Sequence, residues 1–113
     1  MNKAPRRVAP RHLSPMARRF WHKVMADFLL EEHQVRLLDL ACECLDTGEK
    51  ARQILAEEGL VIEGHLKRKV LNPAYAAERD AKITFARLLR ELALEPEPEE
   101  AFFRPPRIDG RKS

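Results

Sequence analysis

The sequence has few of the residues from which catalytic, metal and disulfide sites are built. Its 113 residues include two cysteines and four glycines. Cys42 and Cys44 are two positions apart in a stretch with helical periodicity, so they point to different faces and cannot form a disulfide with each other. They also lack the Cys-x-x-Cys spacing of redox and zinc sites. We predict that both are buried small apolar residues in a reducing compartment.

Other recognisable sites are missing as well. Four glycines do not provide a glycine-rich phosphate loop, and the four histidines, His12, His22, His33 and His65, have no partner at metal-ligand spacing. Paired acids such as Glu57-Glu58 are expected on solvated surfaces. The sequence therefore predicts no enzymatic activity of its own, no metal ion and no cofactor.

Long hydrophobic runs are also absent. No apolar stretch approaches the roughly 18 residues that a membrane span requires. The N-terminus carries basic residues without a hydrophobic segment behind them, which is not the pattern of a secretory signal. We expect a soluble intracellular protein with no membrane partner.

The net charge is only +3, but charged residues of the same sign are clustered along the chain. Residues 27–63 contain ten acids and three bases, and residues 64–90 have more bases than acids. The charged residues of 91–103 are all acids. The first 26 residues have no acid, and their bases are Lys3, Arg6, Arg7, Arg11, Arg18, Arg19 and Lys23. Such alternation indicates faces for phosphate and for neighbouring subunits, although solvated helix surface would give the same pattern.

Residues 1–12 and residues 13–30 have different character. Residues 1–12 are basic and rich in proline, which predicts a disordered arm. Ser14 and Pro15 are typical of a helix cap and a first helical position. Behind them Met16, Phe20, Val24 and Phe28 repeat every four residues, so helix 1 is expected from about 15 to 29.

Helix 2 is expected to begin near Glu31 or Glu32 and to end at Gly59. Its apolar positions are Val35, Leu38, Ala41, Cys42 and Leu45, widened by Leu37, Leu40 and Cys44. Asp46 and Glu49 have the spacing of a capping box, which would start a new helix at Asp46. Continuation of the apolar pattern at Ala51 and Ile54 favours one helix that tolerates Gly48 at a cost of about 1 kcal/mol.

The stretch "LVIEGHLKRKVLNPAY" predicts a β-hairpin over residues 60–71. Gly64 and His65 are expected to form its two-residue turn, with strands before them and from Leu66 to Leu71. Asn72 and Pro73 then begin helix 3, which is expected to end near Leu94. Its apolar stripe is Ala74, Ala77, Ala81, Phe85 (or Thr84), Leu88 and Leu92.

The remaining chain, residues 95–113, is rich in proline and glutamate and predicts a flexible tail. Phe102, Phe103 and Ile108 are its apolar residues, and we expect them to dock on a protein partner. The alternative is that they fold back on their own subunit. The whole chain is thus predicted as a mainly α protein, with a helical core domain over residues 13–94.

Two basic regions are candidates for DNA phosphate binding. One comprises the arm and helix 1, with Arg6, Arg7, Arg11, Arg18, Arg19 and Lys23, and the other is Lys67, Arg68 and Lys69. For the second region, the alternative is an edge strand that charge protects from aggregation.

The order of elements resembles the small subunit of phage terminases, of the short class found in tailed phages with cohesive ends. The resemblance covers residues 13–98: "ARRFWHKVMADF", a helix ended by Gly59, the hairpin, and "LNPAYAAERDAKITFARLLRELAL" before a proline. Ala93 stands where the family usually has glycine, and the hairpin lacks the family's extra glycines.

This resemblance implies a non-enzymatic ring in the host cytoplasm. Such rings bind viral double-stranded DNA and stimulate the ATPase and nuclease of the terminase large subunit. One alternative is a dimeric helix-turn-helix regulator with its recognition helix in residues 31–58, but that stretch is acidic and would repel phosphate. Another is a helical assembly adaptor without a nucleic-acid role.

Overall fold

Three helices and one hairpin make up the part of the chain that the computed structural model describes, residues 8–94. The elements are α1 (Pro15–Asp27), α2 (Glu32–Glu58), β1 (Val61–Glu63), β2 (Lys69–Leu71) and α3 (Pro73–Leu92), with one 3₁₀ turn at His65–Lys67 between the strands. This confirms the mainly α fold with a hairpin between the second and third helices. The candidates Arg6, Arg7, Phe102, Phe103 and Ile108 lie outside the described residues.

Asp46 secures the start of α1 and does not begin a new helix. The Ser14 hydroxyl accepts a hydrogen bond from the Ala17 backbone N–H at 3.1 Å and so caps α1. The Ser14 backbone N–H and hydroxyl in turn donate to the two carboxylate oxygens of Asp46. Since α2 runs without a break from Glu32 to Glu58, the one-helix interpretation is confirmed.

The core lies where α1 packs antiparallel on the first half of α2. Ser14 contacts Asp46, and farther along α1 the indole N–H of Trp21 donates to Asp39 at 2.8 Å. Trp21 is completely buried, so its N–H requires such a partner. The buried cluster contains Ala9, Leu13, Ala17, Trp21, Val24, Leu30, Val35, Leu38, Cys42 and Leu92.

Packing begins before residue 13, the expected start of the core. Ala9 is buried in the cluster, and the His12 imidazole lies 2.7 Å from a carboxylate oxygen of Glu43 on α2. The guanidinium of Arg18 donates to the Arg11 carbonyl at 2.7 Å. Residues 9–12 therefore lie against α1 and α2, because Ala9 and Leu13 supply apolar surface that the small core can bury.

Helix α3 returns antiparallel along the whole of α2. The Gln34 amide donates to the Leu92 carbonyl at 2.9 Å at one end, and the Asn72 amide donates to the Gly59 carbonyl at 3.0 Å at the other. Ala74, Ala81 and Leu92 of the expected stripe are buried, whereas Ala77 is exposed. Ala77 faces an opening between α2 and α3 that no residue of α1 lines.

The hairpin turn was predicted incorrectly. Val61 pairs with Leu71, Ile62 with Val70, and Glu63 with Lys69, so five residues, 64–68, connect the strands. A two-residue turn that begins with glycine needs positive φ at that glycine, but Gly64 has φ −107°. The left-handed conformation falls instead on Leu66 (φ 57°) and Lys67 (φ 62°), and β2 begins only at Lys69.

Asn72 caps the start of α3, and a left-handed residue, Ala93, ends it. Asn72 is buried; its side-chain oxygen accepts from the Ala74 N–H at 3.0 Å, and its backbone N–H donates to the Leu60 carbonyl at 2.7 Å. This one residue therefore joins the end of α2, the hairpin and the start of α3. The helix ends at Leu92, two residues before the expected position, because Ala93 adopts the left-handed conformation that glycine adopts more readily.

Cys42 is a buried core residue, as predicted, and Cys44 is half-buried. The Cys42 thiol donates to the Ala17 carbonyl at 3.5 Å. Burial, together with the neighbouring carboxylates of Asp39, Asp46 and Glu43, raises the pKa of the Cys42 thiol from 9.0 to about 12. The folded chain consequently keeps this thiol protonated.

Two glycines of α2 are expected to respond to alanine in opposite directions. A Cβ on Gly48 would meet only Ala81 Cβ, at an ordinary 3.5 Å, so Gly48→Ala should stabilise the chain by about 1 kcal/mol. Gly59 has φ +92°, so Gly59→Ala should destabilise it by about 1 kcal/mol or more. Urea denaturation measures both; a destabilised Gly48→Ala would show that the two helices tolerate no added methyl group.

The Cys42 thiol should make stability depend on alkaline pH. Below pH 9 it is protonated in both states and contributes no pH dependence. Between pH 9 and 12 the unfolded thiol ionises while the folded one keeps its proton, so stability should fall by up to about 1.4 kcal/mol per pH unit. Urea melts of wild type and Cys42→Ala from pH 8 to 10.5 isolate this contribution; identical slopes would contradict the assignment.

Candidate functional site

The outer side of α1 carries a row of cations. Arg18, Arg19 and Lys23 are exposed on the side away from the buried residues Ala17, Trp21 and Val24. Lys23 is 2.9 Å from Asp27, and Arg18 is held by the Arg11 carbonyl. Within residues 8–94, Arg19 has no hydrogen-bond or ion-pair partner. Arg11, Arg18, Arg19 and Lys23, here called the α1 cation row, are therefore positioned together, with Arg19 the most available.

The three basic residues of the hairpin belong to different local structures. All are exposed, but Lys67 and Arg68 lie in the turn whereas Lys69 is the first residue of β2. Lys69 is opposite Glu63, and because side chains alternate along a strand it shares its face with Leu71.

The α1 cation row and the hairpin turn are distant from each other. The contact between Ser14 and Asp46 marks the start of α1 along α2, and α2 continues to Gly59. Those 13 further residues of helix span about 20 Å before the hairpin starts. One subunit therefore presents two separate cationic positions, which correspond to the two candidate basic regions of the sequence.

An apolar groove between α2 and α3 lies on the face that α1 leaves uncovered. Thr47 and Ala77 lie at its centre, and Leu40 and Ile54, 49% and 40% exposed, lie on either side of them along α2. Its other lining side chains include Cys44, Ala51, Ile62, Ala74, Ala81, Thr84 and Leu88. The sequence signal for this groove was Leu40 and Cys44, which made the apolar face of α2 wider than one partner helix can bury.

The groove is acidic at the end near Leu40 and Leu88. Glu43 and Asp80 line this end, and no lysine or arginine does so. Asp80 is 3.3 Å from its neighbour Arg79, and Glu43 contacts His12. The groove thus combines exposed apolar side chains with a local negative charge.

The hairpin has an uncovered apolar face of its own. Ile62 is half-buried and lines the end of the groove, whereas Val61 and Leu71 form a cross-strand pair on the opposite face, each 53% exposed. Glu63 and Lys69 share that face by strand alternation. We call Val61, Glu63, Lys69 and Leu71 the outer hairpin face.

The described residues show neither a metal site nor a membrane span. Residues 8–94 contain no group of three or more histidine, cysteine, aspartate or glutamate side chains placed to hold a metal ion. No helix in that range is long and apolar enough to cross a bilayer.

Comparison with known proteins gave one finding. The family model described as phage terminase, small subunit, matches residues 17–104, which include most of α1, the whole of α2, the hairpin and α3. Neither the curated proteins nor the solved structures gave a match. The match confirms the resemblance drawn from the order of the elements: the chain belongs to the phage terminase small subunit family.

Proposed function

We propose that this chain is a DNA-binding, ring-forming subunit of a viral DNA-packaging motor, which acts in the host cytoplasm and stimulates the ATPase and nuclease of the terminase large subunit. The small subunits of this family are generally regulatory and non-catalytic. The observation that carries the proposal is the pairing of an exposed cation row on α1 with an uncovered apolar groove in a chain of this family.

The α1 cation row is the proposed contact with double-stranded DNA. Arg18, Arg19 and Lys23 project into solvent from α1, and Arg11 is exposed just before it. The row includes a cation, Arg19, that no acid of the described residues neutralises. Phosphate contacts of this kind bind without reading sequence. Arg6 and Arg7 precede the row in the chain, and Lys67, Arg68 and Lys69 are proposed as a second, separate phosphate contact.

The tail is the proposed contact with the large subunit. Phe102, Phe103 and Ile108 are apolar residues among acids, bases and prolines, and exposed aromatic residues commonly mark a protein interface. This assignment rests on the sequence alone.

Self-association is supported by the amount of apolar surface that the fold leaves uncovered. Leu40, Ile54, Val61, Leu71 and Ile83 are each between 40% and 53% exposed. Leu40 and Ile54 lie in the groove and Val61 and Leu71 on the outer hairpin face, so one chain presents two separate apolar surfaces. Such exposed apolar surfaces indicate subunit interfaces, and heterologous contacts between identical chains form a ring when the rotation between copies closes.

The DNA contact predicts a steep dependence of affinity on salt. If about six phosphates are neutralised, a plot of log affinity against log salt concentration should have a slope near −5. Arg19→Ala should weaken binding and reduce the slope by about 1. Fluorescence anisotropy with duplexes of unrelated sequence measures both, and Arg52→Ala, which removes a cation paired with Glu49 on α2, is the matched control. A slope near zero for wild type would remove the DNA role.

Self-association predicts a solution mass well above that of two chains. Light scattering at micromolar concentration, at low and at high salt, should give an assembly of many copies of the 13.1-kDa chain. Because the proposed contacts are largely apolar, high salt should not dissociate the assembly. A monomer at both salt concentrations would contradict ring formation by the chain alone.

A further inference from the structure

We propose that the outer hairpin face of one subunit docks in the apolar groove of a second copy of this chain. This inference rests on the self-association part of the proposed function and assigns its two contacting surfaces.

The hairpin is too small to leave an apolar face uncovered. Its strands have three residues each, and isolated two-stranded hairpins are marginally stable in water. Ile62 packs at the end of the groove of its own subunit, but the cross-strand pair Val61 and Leu71 on the other face is half exposed. Leu60, which precedes β1, adds another exposed leucine. No side chain of residues 8–94 covers the outer hairpin face, so burial of Val61 and Leu71 requires another protein surface.

The same subunit's hairpin cannot supply its outer face to the groove. The backbone N–H of Asn72 donates to the Leu60 carbonyl, and the side-chain amide of Asn72 donates to the Gly59 carbonyl. These bonds fix the base of the hairpin with Ile62, and not Val61 or Leu71, toward the groove. A second copy carries the same hairpin without this restriction.

Charge favours the same pairing. Lys69 lies beside Glu63 on the outer hairpin face, and the end of the groove near Leu40 is lined by Glu43 and Asp80 and by no lysine or arginine. A lysine brought to that end would meet opposite charge on an otherwise apolar surface. Of the three hairpin cations proposed to contact phosphate, Lys67 and Arg68 precede β2 and remain available to it, whereas Lys69 is assigned here to the subunit contact.

The two surfaces occupy different parts of the molecule, and this determines the kind of assembly. A subunit whose hairpin is docked still presents an empty groove, and a subunit whose groove is filled still presents a free hairpin. The contact is heterologous and repeats from copy to copy, as ring formation requires.

Four substitutions in the full chain, three at the contact and one control, test the proposal. Leu71→Glu places a charge on the outer hairpin face, and Ala77→Glu places one at the centre of the groove. Ala86→Glu is the control, because Ala86 is also exposed on α3 but lies nine residues, about 180° around the helix, from Ala77. Thr84→Glu, also in the groove lining, repeats the groove test at a second position. Circular dichroism verifies that each variant is folded.

Light scattering should show a single-chain mass of 13.1 kDa for Leu71→Glu and for Ala77→Glu, and the wild-type mass for Ala86→Glu. A mixture of the first two should form a species of two chains. Ala77→Glu retains a normal hairpin and Leu71→Glu retains a normal groove, so one intact contact can form between them.

The outcomes separate this inference from the broader proposal. If wild type assembles but the folded hairpin and groove variants keep its mass, the inference is overturned, self-association stands, and the groove belongs to another occupant such as residues 95–113. If the two variants dissociate but their mixture stays monomeric, the pairing of hairpin with groove is likewise wrong. A monomeric wild type overturns self-association itself.

A charge exchange gives an independent test. Lys69→Glu should raise the dissociation constant of the assembly about threefold at low salt, in the range of an exposed ion pair. Adding Asp80→Lys to the same chain should restore it, because each altered hairpin then meets an altered groove. If the double variant assembles no better than Lys69→Glu alone, the proposed placement of Lys69 is wrong.

Discussion

The difference in length between α1 and α2 determines the architecture of this chain. Helix α1 has 13 residues and α2 has 27, so α1 can bury only the first half of its partner. The buried cluster around Trp21 and Leu38 occupies that half. Beyond Asp46, α2 has only α3 and the hairpin beside it, and apolar side chains such as Ile54 remain exposed. The core beside α1 and the exposed apolar side chains on the second half of α2 thus follow from the difference in helix length, and the groove continues past Leu40 on the face that α1 does not cover.

The elements themselves were predictable because their signals are local. Ser14 with Pro15, and Asn72 with Pro73, marked the starts of α1 and α3. Apolar residues at about every fourth position then indicated the helices that follow these caps. The hairpin turn was not predictable in the same way. Gly64 suggested a tight turn, but the left-handed conformation fell on Leu66 and Lys67, where the sequence has no residue that favours it.

The candidate site was harder to predict because it depends on which residues become neighbours in three dimensions. Asp46 has the spacing of a cap for a new helix, yet its carboxylate binds Ser14, 32 residues away. Lys67, Arg68 and Lys69 are consecutive in the sequence, but Lys67 and Arg68 precede β2 and Lys69 is its first residue. The apolar residues of α2 were recognised from the sequence. That Leu40 and Ile54 remain exposed could be seen only once the face and the length of α2 that α1 covers were known.

The buried Asn72 has a consequence for how the molecule opens. Its side chain bonds to the Gly59 carbonyl and the Ala74 N–H, and its backbone N–H bonds to the Leu60 carbonyl, so the end of α2, the hairpin and the first turn of α3 share one buried residue. Breaking any of these bonds leaves buried polar groups of the others unsatisfied, which is costly. Thermal fluctuations should therefore release these segments together as one cooperative unit, separate from the cluster around Trp21.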